Sequence, residues 1–214
     1  LYKYNWLLFG ISCILAVVVI LLRPSRFKNV FFIIAVLIVL SADYYGLKHL
    51  QAWRYSNPTS FLGFPIWEPI FWTIEYIVIG EFSVQLYLFL RKRVSSFVYK
   101  LLIASLLLLT VYYVYLTFSI VGTIYVRWYA AGLVILLILA HRSFNVLYFF
   151  VAAMIGTFID LIALRIGVWY YTYPYFSGIG MPISLPLAYG ISANFLWGLP
   201  MLLTNSWKHE TGFE

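Results

Sequence analysis

The stretch NVFFIIAVLIVLSADYYGLK, residues 29–48, decides the fold. Roughly 20 apolar residues are what an α-helix needs to cross about 30 Å of hydrocarbon, and this run supplies them. Its only charged residues, Asp43 and Lys48, stand near its C-terminal end. Working outward, comparable runs cover residues 5–22, 66–90, 98–120, 124–141, 143–166 and 183–206, which predicts seven spans. The first run has no Ala-x-Ala-like cleavage site and is long enough to span, so it is expected to stay as a helix. An outer-membrane barrel would show short alternating segments instead of continuous runs.

Composition agrees. The chain has 214 residues, 64% hydrophobic and only 10% charged, against about a quarter charged in an average soluble domain. So few charges cannot cover a core with polar surface, which excludes a soluble enzyme, a disordered chain and a disulfide scaffold. The single Cys13 leaves no intrachain disulfide. A net charge of +7 is expected to orient the chain in the bilayer rather than to bind nucleic acid. Nine cations fall on one predicted side: Arg23, Arg26, Lys28, Arg91, Lys92, Arg93, Lys100, Arg142 and Lys208. Five fall on the other: Lys3, Lys48, Arg54, Arg127 and Arg165. The excess predicts an integral protein of the cell membrane with its N-terminus outside and its C-terminus cytoplasmic.

An internal repeat organises the chain. Asp43 and Asp160 are 117 residues apart, and the same offset pairs Leu47 with Leu164, Lys48 with Arg165, and Gly63 with Gly180. It also pairs Pro65-Ile66 with Pro182-Ile183, and Pro69 with Pro186. A one-residue slip aligns Trp53-Arg-Tyr-Ser-Asn-Pro58 with Trp169-Tyr-Tyr-Thr-Tyr-Pro174. The chain is therefore expected to be all-α, with a first three-helix repeat over 1–95, a linker helix over 96–122 and a second repeat over 123–214. An offset of four spans preserves direction, so the repeats are parallel and both motif loops lie on the outer face. Pro65, Pro69, Pro182 and Pro186 are expected to open helices three and seven, with a bend at Pro69 and Pro186.

The seven acids are the scarcest chemistry here, and Asp43, Glu68, Glu75, Glu81 and Asp160 fall in or against predicted spans. Glu68 and Glu75 are seven apart and share a helix face, with Trp72 between them. Burial makes a carboxyl hold its proton to higher pH, the property a proton donor needs near neutrality. Glu68 is the leading candidate, because the second copy has Leu185 in its place. Asp43, Asp160 and Glu75 follow. Asp43 and Asp160 could instead pair with Lys48 and Arg165, or across the repeat. Trp53, Tyr55, Trp67, Trp72, Trp169, Tyr171 and Tyr189 cluster around the repeated motif, and aromatic faces attract cations. His49 reads as structural, and His141 and His209 as loop residues. No HExxH, CxxC, P-loop or GxGxxG pattern appears, so no metal, nucleotide or redox cofactor is expected.

The order Asp43…Trp53-x-Tyr55…Gly63-x-Pro65-x-x-Glu68-x-x-Phe71-Trp72 resembles the integral-membrane lycopene cyclase family. That family is built from two similar three-helix units, each with an Asp, a Gly-x-Trp-x-Tyr-like loop and a Pro-x-Glu-Glu-x-x-Phe-Phe element. The resemblance covers nearly the whole chain and suits a fused form. Here Trp67 replaces the first Glu of the pair, and Pro182-Ile-Ser-Leu-Pro-Leu-Ala-Tyr189 has no carboxylate. The second copy, Asp160…Ala163-x-Arg165-x-Gly167-x-Trp169-x-Tyr171…Gly180-x-Pro182, looks as much like the related carotenoid hydratases of bacterioruberin-type pathways.

The resemblance implies a membrane enzyme that protonates the end of a polyene or other isoprenoid to a tertiary carbocation, without redox change. Ring closure makes it an isomerase, and capture by water a hydro-lyase. Glu68 would donate the proton, with Asp43, Asp160 and Glu75 positioning it or accepting the proton lost later. Two other classes stay open: a sugar-transporter-like protein with Asn194 in its path, and a non-catalytic lipid-binding relative. The expected partners are the bilayer and a hydrophobic polyene, with oligomerisation possible.

Overall fold

The computed structural model describes residues 5–22, 25–56, 63–120, 143–172 and 180–204. The described chain is mostly helical. Helix α1 covers Asn5–Leu22, α2 Arg26–Tyr45, α3 Glu68–Arg93, α4 Ser96–Ile120, α5 Ser143–Arg165 and α6 Leu185–Thr204. Among these, the segments Arg26–Leu50, Glu68–Arg93 and Phe144–Arg165 are long and apolar enough to cross a membrane. The expected span over 124–141 lies outside the described residues, as do His141, His209 and several of the tallied cations.

Local signals explain where the helices start and stop. Ser25 caps α2, its extended backbone (φ −142°, ψ 151°) letting the side chain accept from the Lys28 N–H at 3.2 Å. Ser95 does the same for α4 through the Val98 N–H at 3.3 Å. Arg91, Lys92 and Arg93 close α3, where cations face the negative end of the helix dipole. Gly167 (φ 72°) ends α5, with its N–H on the Leu164 carbonyl and the Val168 N–H on the Ala163 carbonyl. That is a Schellman closure, which needs the left-handed conformation glycine adopts freely.

Helix α2 does not stop as a plain helix. It continues into a π-helical turn, Gly46–Leu50, that ends at Gln51 in the left-handed region (φ 48°). The Trp53 ring lies where a β-carbon on Gly46 would stand, so any larger residue there has to displace that ring. Two short strands follow, β1 Trp53–Tyr55 and β2 Trp169–Tyr171. They pair antiparallel with Trp53 opposite Tyr171, Arg54 opposite Tyr170 and Tyr55 opposite Trp169. Backbone bonds from Ser56 N–H to Val168 and from Thr172 N–H to Ala52 extend the ladder at both ends. This small sheet qualifies the all-α expectation: three-residue strands are too short to announce themselves by alternation, and only the partner segment supplies their hydrogen bonds.

Pro69 and Pro186 open their helices as expected, but without the reason for a bend. Pro65 precedes α3, in a turn where the Glu68 N–H bonds its carbonyl at 3.1 Å. Pro69 and Pro186 are each the second residue of their helices. A first-turn proline lacks an N–H that has no partner anyway, so the reason to expect a bend there disappears. Pro200, which the sequence reading passed over, lies inside α6.

The chain divides into two compact units, interleaved along the sequence. One comprises Leu1–Val78, Asp160–Pro182 and Leu196–Glu214; the other comprises Ile79–Ile159 and Ile183–Phe195. In the first, Trp197 meets Phe27 edge-on at 4.8 Å and Phe31 at 5.6 Å. In the second, Gly156 and Gly190 admit the rings of Tyr189 and Phe149, whose nearest atoms lie 2.6 and 2.5 Å from where a β-carbon would be. Large apolar side chains face outward on α1, α2 and α4, including Ile14, Leu21, Ile33, Leu37, Phe97 and Leu108. Asp43, Glu68, Glu75, Asp160 and Asn194 are buried. This inversion is what a hydrocarbon solvent selects, since outward apolar surface there costs nothing and polar groups must turn inward.

Candidate functional site

The β1–β2 pair holds the site together. Strand alternation turns Arg54 and Tyr170 outward while Tyr55, Trp169 and Tyr171 are buried. The two buried tyrosines aim at carboxyl groups. Tyr171 donates its hydroxyl to Asp160 Oδ2 at 2.5 Å, and Tyr55 donates to Glu68 Oε1. Glu68 Oε1 also accepts the Trp72 indole N–H at 3.1 Å, from one turn further along α3.

Four carboxyls from three helices meet around these hydroxyls. Asp43 lies within electrostatic reach of Glu68, Glu68 of Asp160, and Asp160 of Glu75. Asp160 is fully buried and Glu68 is 3% exposed. Among the described residues, Asp43 Oδ2, Glu68 Oε2 and both oxygens of Glu75 are buried without a hydrogen-bond partner. Lys48 and Arg165, the cations weighed as partners for the aspartates, are exposed. An ionised carboxylate so placed would lack both solvation and pairing, and like charges this close oppose joint ionisation. The cluster as a whole therefore keeps protons rather than ionising at every carboxyl.

The tyrosines keep theirs as well. Burial first, then the nearby Glu68 and Asp43, pushes the Tyr55 phenol well above its ordinary value of 10. Burial and Asp160 do the same to Tyr171. Both hydroxyls are thus permanent donors at any physiological pH.

Aromatic rings surround the acids. Trp169 lies 6.0 Å from Tyr55 and 6.2 Å from Trp72, and Trp53 lies 6.4 Å from Tyr171. Of the residues singled out from the sequence, the structure thus brings together Asp43, Glu68, Glu75, Asp160, Trp53, Tyr55, Trp72, Trp169 and Tyr171. Trp67 joins through Phe71, whose ring touches both Trp67 and Trp72. Tyr189 belongs to the second unit, where it covers Gly156. His49 stacks on Tyr45 at 5.2 Å and meets Tyr44 edge-on. Asn194 donates to the Gly190 carbonyl of its own helix at 3.0 Å.

The sequence reading missed the roles of the tyrosine hydroxyls. It counted Tyr55 and Tyr171 as rings, whereas their O–H groups make the bonds that organise the acids. Their place two residues after each tryptophan, on the same strand face, was the available signal. Among the described residues no group of three or more His, Cys, Asp or Glu side chains is placed to hold a metal ion. Comparison with protein-family models, with curated proteins and with solved structures finds no match.

Proposed function

We propose that this chain is a membrane enzyme that protonates the end group of a carotenoid or related isoprenoid, in the manner of the lycopene cyclase family it resembles. The observation that carries the reading is Glu68. It is a buried carboxyl in an acid cluster, with one oxygen held by two donors, the other without a hydrogen-bond partner among the described residues, and aromatic rings close by. Transfer of its proton forms a C–H bond with the alkene π pair and leaves a tertiary cation. A neighbouring double bond then closes a ring, and loss of a proton to a carboxylate of the cluster completes an isomerisation. No redox partner is required. Trp53, Trp72, Trp169 and the tyrosine rings offer the cation faces worth about 0.5–2 kcal/mol each.

The architecture in this reading is seven spans in two parallel three-helix repeats joined by a linker helix, with the N-terminus outside. Three correspondences support it. Gly63 (φ 96°) and Gly180 (φ 75°) share the left-handed conformation. Helices α3 and α6 begin at Glu68 and Leu185, 117 residues apart. Each Trp-x-Tyr segment pairs with the other.

Hydration is the second reading, favoured by Asp43. Its unpartnered Oδ2, within electrostatic reach of Glu68, is the acceptor a nucleophilic water needs. Pigment analysis of lycopene-accumulating cells making this protein separates the two. Cyclised product supports the first reading and a tertiary alcohol the second. Unchanged lycopene, with the protein present in the membrane, overturns both for that substrate.

A further inference from the structure

The two oxygens of Glu68 are not equivalent, and their difference identifies the reacting atom. We propose that Glu68 carries its transferable proton on Oε2, and that Tyr55 and Trp72 are positioning residues that hold it there by filling Oε1. The inference deepens the proton-donor reading above and rests on it.

A neutral carboxyl has one carbonyl oxygen, an acceptor with two lone pairs, and one hydroxyl oxygen. The indole N–H of Trp72 can only donate, and it points at Oε1. The Tyr55 hydroxyl meets the same oxygen, and burial beside acids keeps that phenol protonated. Two donors on one oxygen saturate a carbonyl. The proton is then left to Oε2, which is buried and has no hydrogen-bond partner among the described residues. Oε2 thus holds its proton without a competing acceptor. An O–H committed to an acceptor must break that bond before it can reach an alkene carbon, and this one need not.

The same arrangement serves the step itself. The Oε2–H bond breaks and its electron pair stays on Glu68, while the alkene π pair forms the new C–H bond. The charge that develops on the carboxylate spreads to Oε1, where two donors already wait. Hydrogen bonds to a charged group are worth about twice those to a neutral one, so Tyr55 and Trp72 stabilise the product of transfer more than its start. The other titratable groups within reach of Glu68 are Asp43 from α2, Asp160 from α5 and Tyr171 from β2. None of the three hydrogen-bonds Oε2.

Infrared difference spectroscopy on the full chain in lipid nanodiscs tests this without relying on turnover. The expected spectrum contains a carboxylic-acid C=O band that Glu68→Gln removes. Tyr55→Phe and Trp72→Phe, measured separately, should each move that band to higher frequency, because the carbonyl loses one donor. Each should also lower kcat on a polyene by roughly ten- to a hundredfold, with KM little changed. A Glu68 band that neither variant moves places the proton on Oε1 and overturns the assignment, even if Glu68→Gln abolishes product. Absence of any acid band from Glu68 overturns it as well. A band that moves as expected, in a protein that turns over no polyene, upholds the proton's position and sinks only the proposed reaction.

Discussion

The two Trp-x-Tyr segments make the most instructive comparison in the molecule. Each follows a helix that carries an aspartate, each buries its tyrosine, and each precedes a left-handed glycine and a new helix. They differ in where the tyrosine hydroxyl goes. Tyr171 reaches back to Asp160, on the helix before it. Tyr55 reaches forward to Glu68, on the helix after it. Position 185, the counterpart of Glu68, is a leucine and offers no acceptor. Glu68 has thus captured the hydroxyl in the first segment, and among the described residues Asp43 Oδ2 has no hydrogen-bond partner. The second segment ties its tyrosine to the aspartate of its own repeat, and the first hands its tyrosine on to the glutamate of the next helix.

The largest expected effect falls on the first segment. Glu68→Gln should reduce polyene turnover by at least about a hundredfold, the usual range for a general acid, while the protein still inserts and elutes normally. Pigment extraction with size-exclusion chromatography checks both halves. Next comes the second segment. Asp160→Ala leaves the buried Tyr171 hydroxyl without its acceptor and should cost roughly 1–3 kcal/mol of stability. Asp43→Ala should cost clearly less, since the tyrosine of its segment donates to Glu68 and keeps its acceptor. Thermal unfolding in detergent ranks the two, and equal losses would contradict the difference between the segments.

A smaller effect is expected at the turn that delivers the first segment. Gly46→Ala puts a methyl group into the Trp53 ring. Because Trp53 is only half-buried it can shift, so the cost should fall near the low end of overpacking, about 1 kcal/mol. The smallest effect is alkaline. Both phenols have folded pKa values raised well above 10. The unfolded chain therefore releases these protons first, and stability falls as pH rises above about 10. Below that pH the effect is absent. Replacing Tyr171 by Phe should flatten part of the slope in a pH series of unfolding curves, and an unchanged slope would remove Tyr171 from the account.

Much of this was legible from the chain alone. The described helices lie within a few residues of the expected runs, because hydrophobic length and Ser, Gly and Pro signals act locally. Glu68, Asp43 and Asp160 were singled out because a carboxyl in an apolar run is costly and needs a reason. What was not legible was partnership. Trp53 and Tyr171 are 118 residues apart and lie opposite each other in a ladder, and no local signal states that two loops will pair. The first-turn placement of Pro69 depended on a helix start three residues beyond Pro65, a boundary periodicity does not resolve.

The sequence by itself determined the solvent, the scarcity of charge and the identity of the acids, since these follow from composition and from the length of apolar runs. Only the tertiary structure decided which oxygen each tyrosine and tryptophan reaches. A hydrogen bond depends on ångström placement of two groups brought together from distant positions. That placement turned four scattered carboxyls into one cluster, and set two hydrogen-bond donors on a single oxygen of one of them.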